Sequence, residues 1–171
     1  MMDPMSEQPP TQITGTHRCY RIESALNIDA DIDTVWSTAT QSETLGWWFA
    51  PGTIEGEGGR IQLNFPDGAF GMVGTVKVLF RPHVIEFTWH AHELSDETII
   101  RFDFVPTGEA KTTATVTSFV FADLDTACFV LATWQFMLER LQQAVVTKTA
   151  VPDNSARVAE LTEDLRRQYQ V

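Results

Sequence analysis

The chain reads as an α+β protein, a curved antiparallel sheet of about six or seven strands wrapped around one long C-terminal helix, with two short helices after the first strand. Three observations predict this. Successive segments alternate apolar and polar residues with a period of two, one long apolar-striped helix follows them near the end, and a short amphipathic segment sits just after the first strand.

In the first strand Tyr20, Ile22, Leu26 and Ile28 alternate with Arg21, Glu23 and Asn27. Ile32, Val35, Trp36 and Ala39 then fall at i, i+3, i+4 and i+7, with Asp31 and Asp33 at the positive end of the helix they predict. That helix stops near Thr40, and a further helical turn is expected from Ser42 to Gly46. The alternation resumes with Ile61, Leu63 and Phe65, then Val76, Val78 and Phe80, then Ile85, Phe87 and Trp89. Ile100, Phe102 and Phe104 oppose Arg101 and Asp103, while Ala114, Val116 and Ser118 oppose three threonines that suit a solvated face. One face is apolar and the other wet, the pattern of an antiparallel sheet covered on one side. The cover is the helix predicted over Asp123 to Lys148, whose stripe holds Val130, Trp134, Met137, Leu138, Leu141 and Val145 against Glu139, Gln142 and Gln143 behind.

With 171 residues, 43% of them hydrophobic, the chain can bury a core without disulfides or metals. A net charge of −11 argues against a nucleic-acid partner. Cys19 and Cys128 lie far apart without a spacing motif, which fits a reducing, cytoplasmic setting better than a disulfide framework. Met1 to Thr14 is polar and contains proline, with no apolar core of a signal peptide, and no stretch suits a membrane span. The organisation expected is a flexible N-terminal segment over 1–15, a ligand-binding domain over 16–150 and a C-terminal helical extension over 151–171.

The ordered residues also carry a resemblance. Ile28-Asp29-Ala30, Val35-Trp36, Thr40, Leu45 and Trp47-Trp48 are followed by Gly58-Gly59, Gly74-Thr75-Val76, Pro82 and Phe87-Thr88-Trp89. Phe102-Asp103-Phe104, Thr112, Trp134 and Leu138 to Leu141 complete the set. This resembles the helix-grip fold of the START-like, or SRPBCC, superfamily over about Arg18 to Val146, in the branch named after the activator of the heat-shock-protein-90 ATPase. The resemblance implies a cavity between sheet and long helix that takes a small hydrophobic or amphipathic molecule, and a possible homodimer. The tail beyond Pro152 departs from the pattern.

Candidate lining residues are Trp48, Phe49, Leu63, Phe65, Met72, Trp89, Phe102, Phe104, Ser118, Phe129, Thr133, Trp134 and Met137. The same residues also suit a solid interlocking core. Ser24, Ser118 and Thr133 are inward hydroxyls that need partners, from a ligand or from a nearby carbonyl. The glycine-containing loop after the tandem tryptophans Trp47 and Trp48 suits either a lid over the cavity or a clasp onto the sheet.

Signals for chemistry are weak. His83, His90, His92 and Glu93 cluster without a third and fourth metal ligand at recognisable spacing, so no metal is assigned. Neither cysteine has a predicted histidine or basic partner, so a thiolate nucleophile is not indicated. Gly56, Gly58 and Gly59 lack the lysine and hydroxyl residue of a phosphate-binding loop, and no cofactor is expected. Val158, Leu161, Leu165 and Tyr169 form a narrow apolar stripe that must lie on the domain itself or on a second subunit.

Three functions follow as expectations. One is a non-catalytic binding protein, which predicts an enclosed pocket of about 300 Å³ or more. Another is an aromatase/cyclase-type enzyme acting on a polyketide-like substrate, which requires a titratable group in that pocket. The last is a co-chaperone-like interaction module, with a filled core and an apolar surface patch.

Overall fold

The computed structural model describes residues 10–65, 71–90 and 97–171. Eight strands form one antiparallel sheet: β1 (Gln12–Thr16), β2 (Cys19–Ile28), β3 (Gly52–Ile54), β4 (Arg60–Asn64), β5 (Gly71–Phe80), β6 (Val84–Trp89), β7 (Thr98–Gly108) and β8 (Lys111–Val120). Their order across the sheet is β1-β2-β8-β7-β6-β5-β4-β3. Helices α1 (Ile32–Thr40) and α2 (Ser42–Trp48) interrupt the chain between β2 and β3, and α3 (Leu124–Thr147) and α4 (Ser155–Tyr169) follow β8.

The sheet has more strands than the periodicity predicts because β1 and β3 are short. Of β1 only Ile13 is buried, and its residues lie partly within the segment the sequence assigns to a flexible terminus. The β1-β2 turn places His17 and Arg18 at φ 56° and 64°, the backbone that a two-residue hairpin turn demands, without the Asn-Gly that usually announces it. Gly15, at φ 121°, precedes that turn, and a Cβ there would stand 2.2 Å from the Cys19 carbonyl oxygen.

The helices start where the sequence provides caps. Asp31 accepts from the Thr34 amide at 2.9 Å and Asp123 from the Thr126 amide at 2.8 Å, each filling a vacant donor of the first turn. The long helix α3 ends in a left-handed Lys148 at φ 56°. Between β5 and β6 the strands come very close at Gly74, where a Cβ would meet the Thr88 carbonyl oxygen at 2.3 Å. Just beyond it the register shifts between Val76 and Val78, bending the sheet around the helices.

Helix α3 is covered on two sides. Leu131, Trp134, Leu138 and Leu141 are buried with the apolar face of the sheet, whose own members include Ile22, Ile28, Ile100, Phe102 and Phe104. On its other side lies α4, which buries Leu161 and Leu165 and forms two ion pairs with α3. Arg157 reaches Glu139 at 2.7 Å, and Arg166 reaches Asp125 at 2.6 Å. The Tyr169 hydroxyl accepts the Ile13 amide at 2.7 Å, so the last helix also fastens β1. The stripe on the tail therefore packs on its own chain.

Candidate functional site

The two tryptophans that end α2 separate. Trp48 is buried in the interior, while Trp47 is half-buried in a cleft beside Val145 and Lys148. The chain continues into Phe49, stacked on Trp48 with ring centroids 5.0 Å apart. Phe102 on β7 meets Trp48 edge to face at 5.6 Å, and Trp134 on α3 meets Phe102 at 5.9 Å and Phe49 at 5.6 Å. Trp89 on β6 lies 5.4 Å from Trp134 and 5.8 Å from Phe49, and Phe65 lies 6.1 Å from Phe49. These edge-to-face and tilted separations are those at which aromatic pairs attract beyond their buried area. Phe65 and Trp89 remain half-buried, so a continuous column of rings runs from the protein's centre to its rim.

Beneath that column is a void of about 10 Å³ lined by Ala39, Leu45, Trp48, Phe49, Ile54, Ile61, Ile85, Phe87, Phe102 and Phe104. Every lining side chain is apolar or aromatic and none titrates. Among the described residues this void is far smaller than an enclosed pocket of several hundred cubic ångströms, because the rings that line it interlock. Trp48, which lines it, is only 3% exposed, and its Nε1–H has no acceptor among the described residues. Leaving such a donor unpaired costs about 1–3 kcal/mol.

Of the thirteen candidate lining residues, four surround the void: Trp48, Phe49, Phe102 and Phe104. Trp134, Trp89 and Phe65 belong to the ring column above it. Leu63 and Met72 are buried opposite each other in the β4-β5 pair, and Ser118 is buried opposite Ile22 in the β2-β8 pair. The remaining three, Phe129, Thr133 and Met137, instead border a groove of about 480 Å³ between α3 and α4. Phe129 is 52% exposed there, and Thr133 donates to the Phe129 carbonyl at 2.9 Å, which accounts for its hydroxyl. The Ser24 hydroxyl is likewise partnered, by Thr11 at 3.0 Å. Sequence reasoning read Ile61, Ile85 and Phe87 as inward but did not assign them to the site, and it missed Ile54 because β3 is too short to show a period.

The loop after Phe49 is held down. Gly58 donates to the Val76 carbonyl and Val76 to the Gly59 carbonyl, both at 2.9 Å, and the Glu55 carboxylate accepts the Arg60 amide at 2.8 Å. These bonds make it a clasp on β5.

Polar chemistry lies elsewhere. His83 Nδ1 is 3.2 Å from the Phe104 carbonyl oxygen, and His90 pairs with Glu97 at 2.9 Å; His92 and Glu93 fall outside the described residues. Among the described residues no group of three or more histidine, cysteine or acidic side chains is placed to hold a metal. Burial, with a smaller push from Asp125, raises the pKa of the Cys128 thiol, the reverse of what activates a nucleophile. Arg101 is clasped by Asp103 and Glu86 on the wet face, which raises its pKa and accounts for it structurally. Arg140, buried on α3, donates to the Val151 carbonyl at 2.6 Å while its Nε has no partner among the described residues, and desolvation lowers its pKa. No described helix is long and apolar enough to cross a membrane.

Comparison with known proteins agrees with this architecture. A conserved protein of unknown function from Enterococcus faecalis superposes with a TM-score of 0.73 at 18% identity, over 94% of this chain and 90% of that one. CalU16 from Micromonospora echinospora gives 0.73 at 17% identity, over 95% and 100%. The Aha1 dimer from Colwellia psychrerythraea gives 0.61 at 21% identity, over 73% and 95%. At these identities the likeness is one of fold. No curated protein matches the chain. The sequence model of the activator of Hsp90 ATPase homolog 1-like proteins matches residues 29–146, from the end of β2 through all but the last residue of α3. The chain belongs to the family of activator of Hsp90 ATPase homolog 1-like proteins.

Proposed function

We propose that this chain is a non-catalytic binding protein whose interior, closed in this structure to a void of about 10 Å³, opens to take a small hydrophobic or amphipathic molecule between its sheet and α3. The observation that carries the reading is the ring column standing over an apolar void. Trp48, Phe49 and Phe102 wall the void, and Phe65 and Trp89, in reach of Phe49, already stand half in solvent. Admitting a ligand requires rings to shift. The bound molecule replaces ring-on-ring contacts with its own, so an apolar or aromatic body fits and a charged one does not. Aromatase/cyclase chemistry finds no support in this interior, because the lining offers no acid or base. Two free cysteines, one exposed and one buried, support a cytoplasmic place of work.

Thermal unfolding against a library of lipids and aromatic compounds tests the proposal. A ligand at 100 times its Kd adds about 2.7 kcal/mol, which raises Tm by roughly 5–10 °C for a chain of this length. No stabilisation by any apolar compound would sink it.

A second reading, an interaction module, is favoured by Phe129, half-exposed beside Phe136, Met137 and Val158 in the α3–α4 groove. The occupant we assign is a second copy of the chain, in line with a structural relative described as a dimer. Sedimentation of the wild type and of Phe129→Asp decides it: dimer in the first and monomer in the second supports this reading, and a monomer in both refutes it.

A further inference from the structure

We propose that the ligand of the interior carries a hydrogen-bond acceptor, a ketone or quinone-type carbonyl on an apolar ring body, and that the Trp48 indole N–H is the group that receives it. The inference rests on the binding function proposed above and assigns its polar anchor.

The argument starts from the unpaired donor. An indole N–H can donate and cannot accept, so its partner must be an acceptor. Among the described residues none is within reach, although Trp48 is buried and borders the void. A water molecule is the usual remedy, but a buried water typically holds two to four polar partners. Here it would find one donor and a wall of alkyl and aromatic side chains, in a space of about 10 Å³ that lies at the lower limit for a single water. The donor is therefore best met by an acceptor that arrives with its own apolar body. Carboxylates and phosphates are excluded, since no cation lines the space to offset their desolvation. A neutral carbonyl has the acceptor strength without that penalty. Stacking on Phe49 and the edge-on approach of Phe102 orient the Trp48 ring in the closed interior. Any ligand without an acceptor leaves the donor as it is; a ligand with one relieves it.

Matched pairs that differ only by the carbonyl test this: 1-indanone against indane, benzophenone against diphenylmethane, and 9-fluorenone against fluorene. Each is titrated into the full-length protein, uniformly labelled with ¹⁵N. The indole N–H resonance of Trp48 is assigned by its disappearance in Trp48→Phe. The expected result is that the ketone of at least one pair binds about five- to tenfold more tightly than its hydrocarbon, the net worth of one hydrogen bond. Its binding moves the Trp48 N–H proton downfield, and the preference vanishes in Trp48→Phe. The wild-type resonance keeps the test valid even if that variant is too unstable for titration. Equal affinities within every pair, with the Trp48 resonance unmoved by the ketones, would overturn the carbonyl assignment and leave the binding function standing. Absence of binding by both members of all three pairs would overturn the two together.

Discussion

The two sides of α3 are held by different physics. Toward the sheet it presents Trp134, Leu138 and Leu141 to a set of rings and alkyl groups whose attraction has little direction. Toward α4 it presents Glu139 and Asp125 to Arg157 and Arg166, pairs with fixed forks and short distances. The first side tolerates rearrangement, because rings can exchange one apolar neighbour for another. The second sets geometry and resists sliding but contributes little free energy, since its charges stand partly in water. A helix that is fixed outside and adaptable inside suits the proposed site, which has to open.

Four predictions probe that contrast, from the largest effect to the smallest. Trp134→Ala removes the ring shared by Phe49, Trp89 and Phe102 and should cost about 3–5 kcal/mol. Chemical denaturation measures it, and a loss below about 1 kcal/mol would mean the column is not the stabilising part of the interior. Arg140→Ala removes the charge-assisted bond that ties Val151 to α3 and should cost about 1.5–3 kcal/mol. Hydrogen exchange should show α4 opening earlier in this variant, and unchanged protection there would refute the tether.

Arg157→Ala should cost no more than about 1 kcal/mol, because both partners of the Glu139 pair are about one-third exposed. Glu139 raises the Arg157 pKa, so the pair stays charged across the usual pH range, and the loss should shrink further in high salt. A salt-independent loss would point to packing of the Arg157 stem instead. The smallest effect concerns the caps. Hydrogen bonds from Thr34 lower the Asp31 pKa below its ordinary 3.8, and hydrogen bonds from Thr126 do the same for Asp123. Their contribution is complete above that ordinary value and disappears as pH falls through the lower folded values. The double variant Asp31→Asn, Asp123→Asn keeps both caps and should flatten the acid limb of the stability curve slightly, and an identical limb would remove the caps from the account.

Most of the fold was legible because strands facing one core must alternate. Residues 100–104 and 114–118 show that alternation clearly, and the structure pairs them with Phe102 opposite Val116 and Phe104 opposite Ala114, which keeps both apolar sets on one face. What escaped were segments too short to show a period, β3 with three residues and β1 with a single buried position. The interior placement of the candidate residues was legible in part. Trp48, Phe49, Phe102 and Phe104 were identified from their inward positions, yet Phe129, Thr133 and Met137 on α3 face the groove with α4. The cause is that α3 carries apolar residues on two sides, one for the sheet and one for the tail helix, and a periodicity of 3.6 does not say which stripe meets which neighbour. Interior volume was not legible either: the same rings suit a hollow or a solid centre, and here they close to a void of about 10 Å³.

The central claim is that these rings part for a guest. Native mass spectrometry of the protein purified from its own cells tests it most directly. The account predicts a fraction of the chains carrying one small apolar molecule, released on mild activation and excluded when the void is filled by a larger side chain on its wall, as in Ala39→Leu. Protein that emerges only at its bare mass, with no guest retained even after incubation with the ketone series, would contradict it.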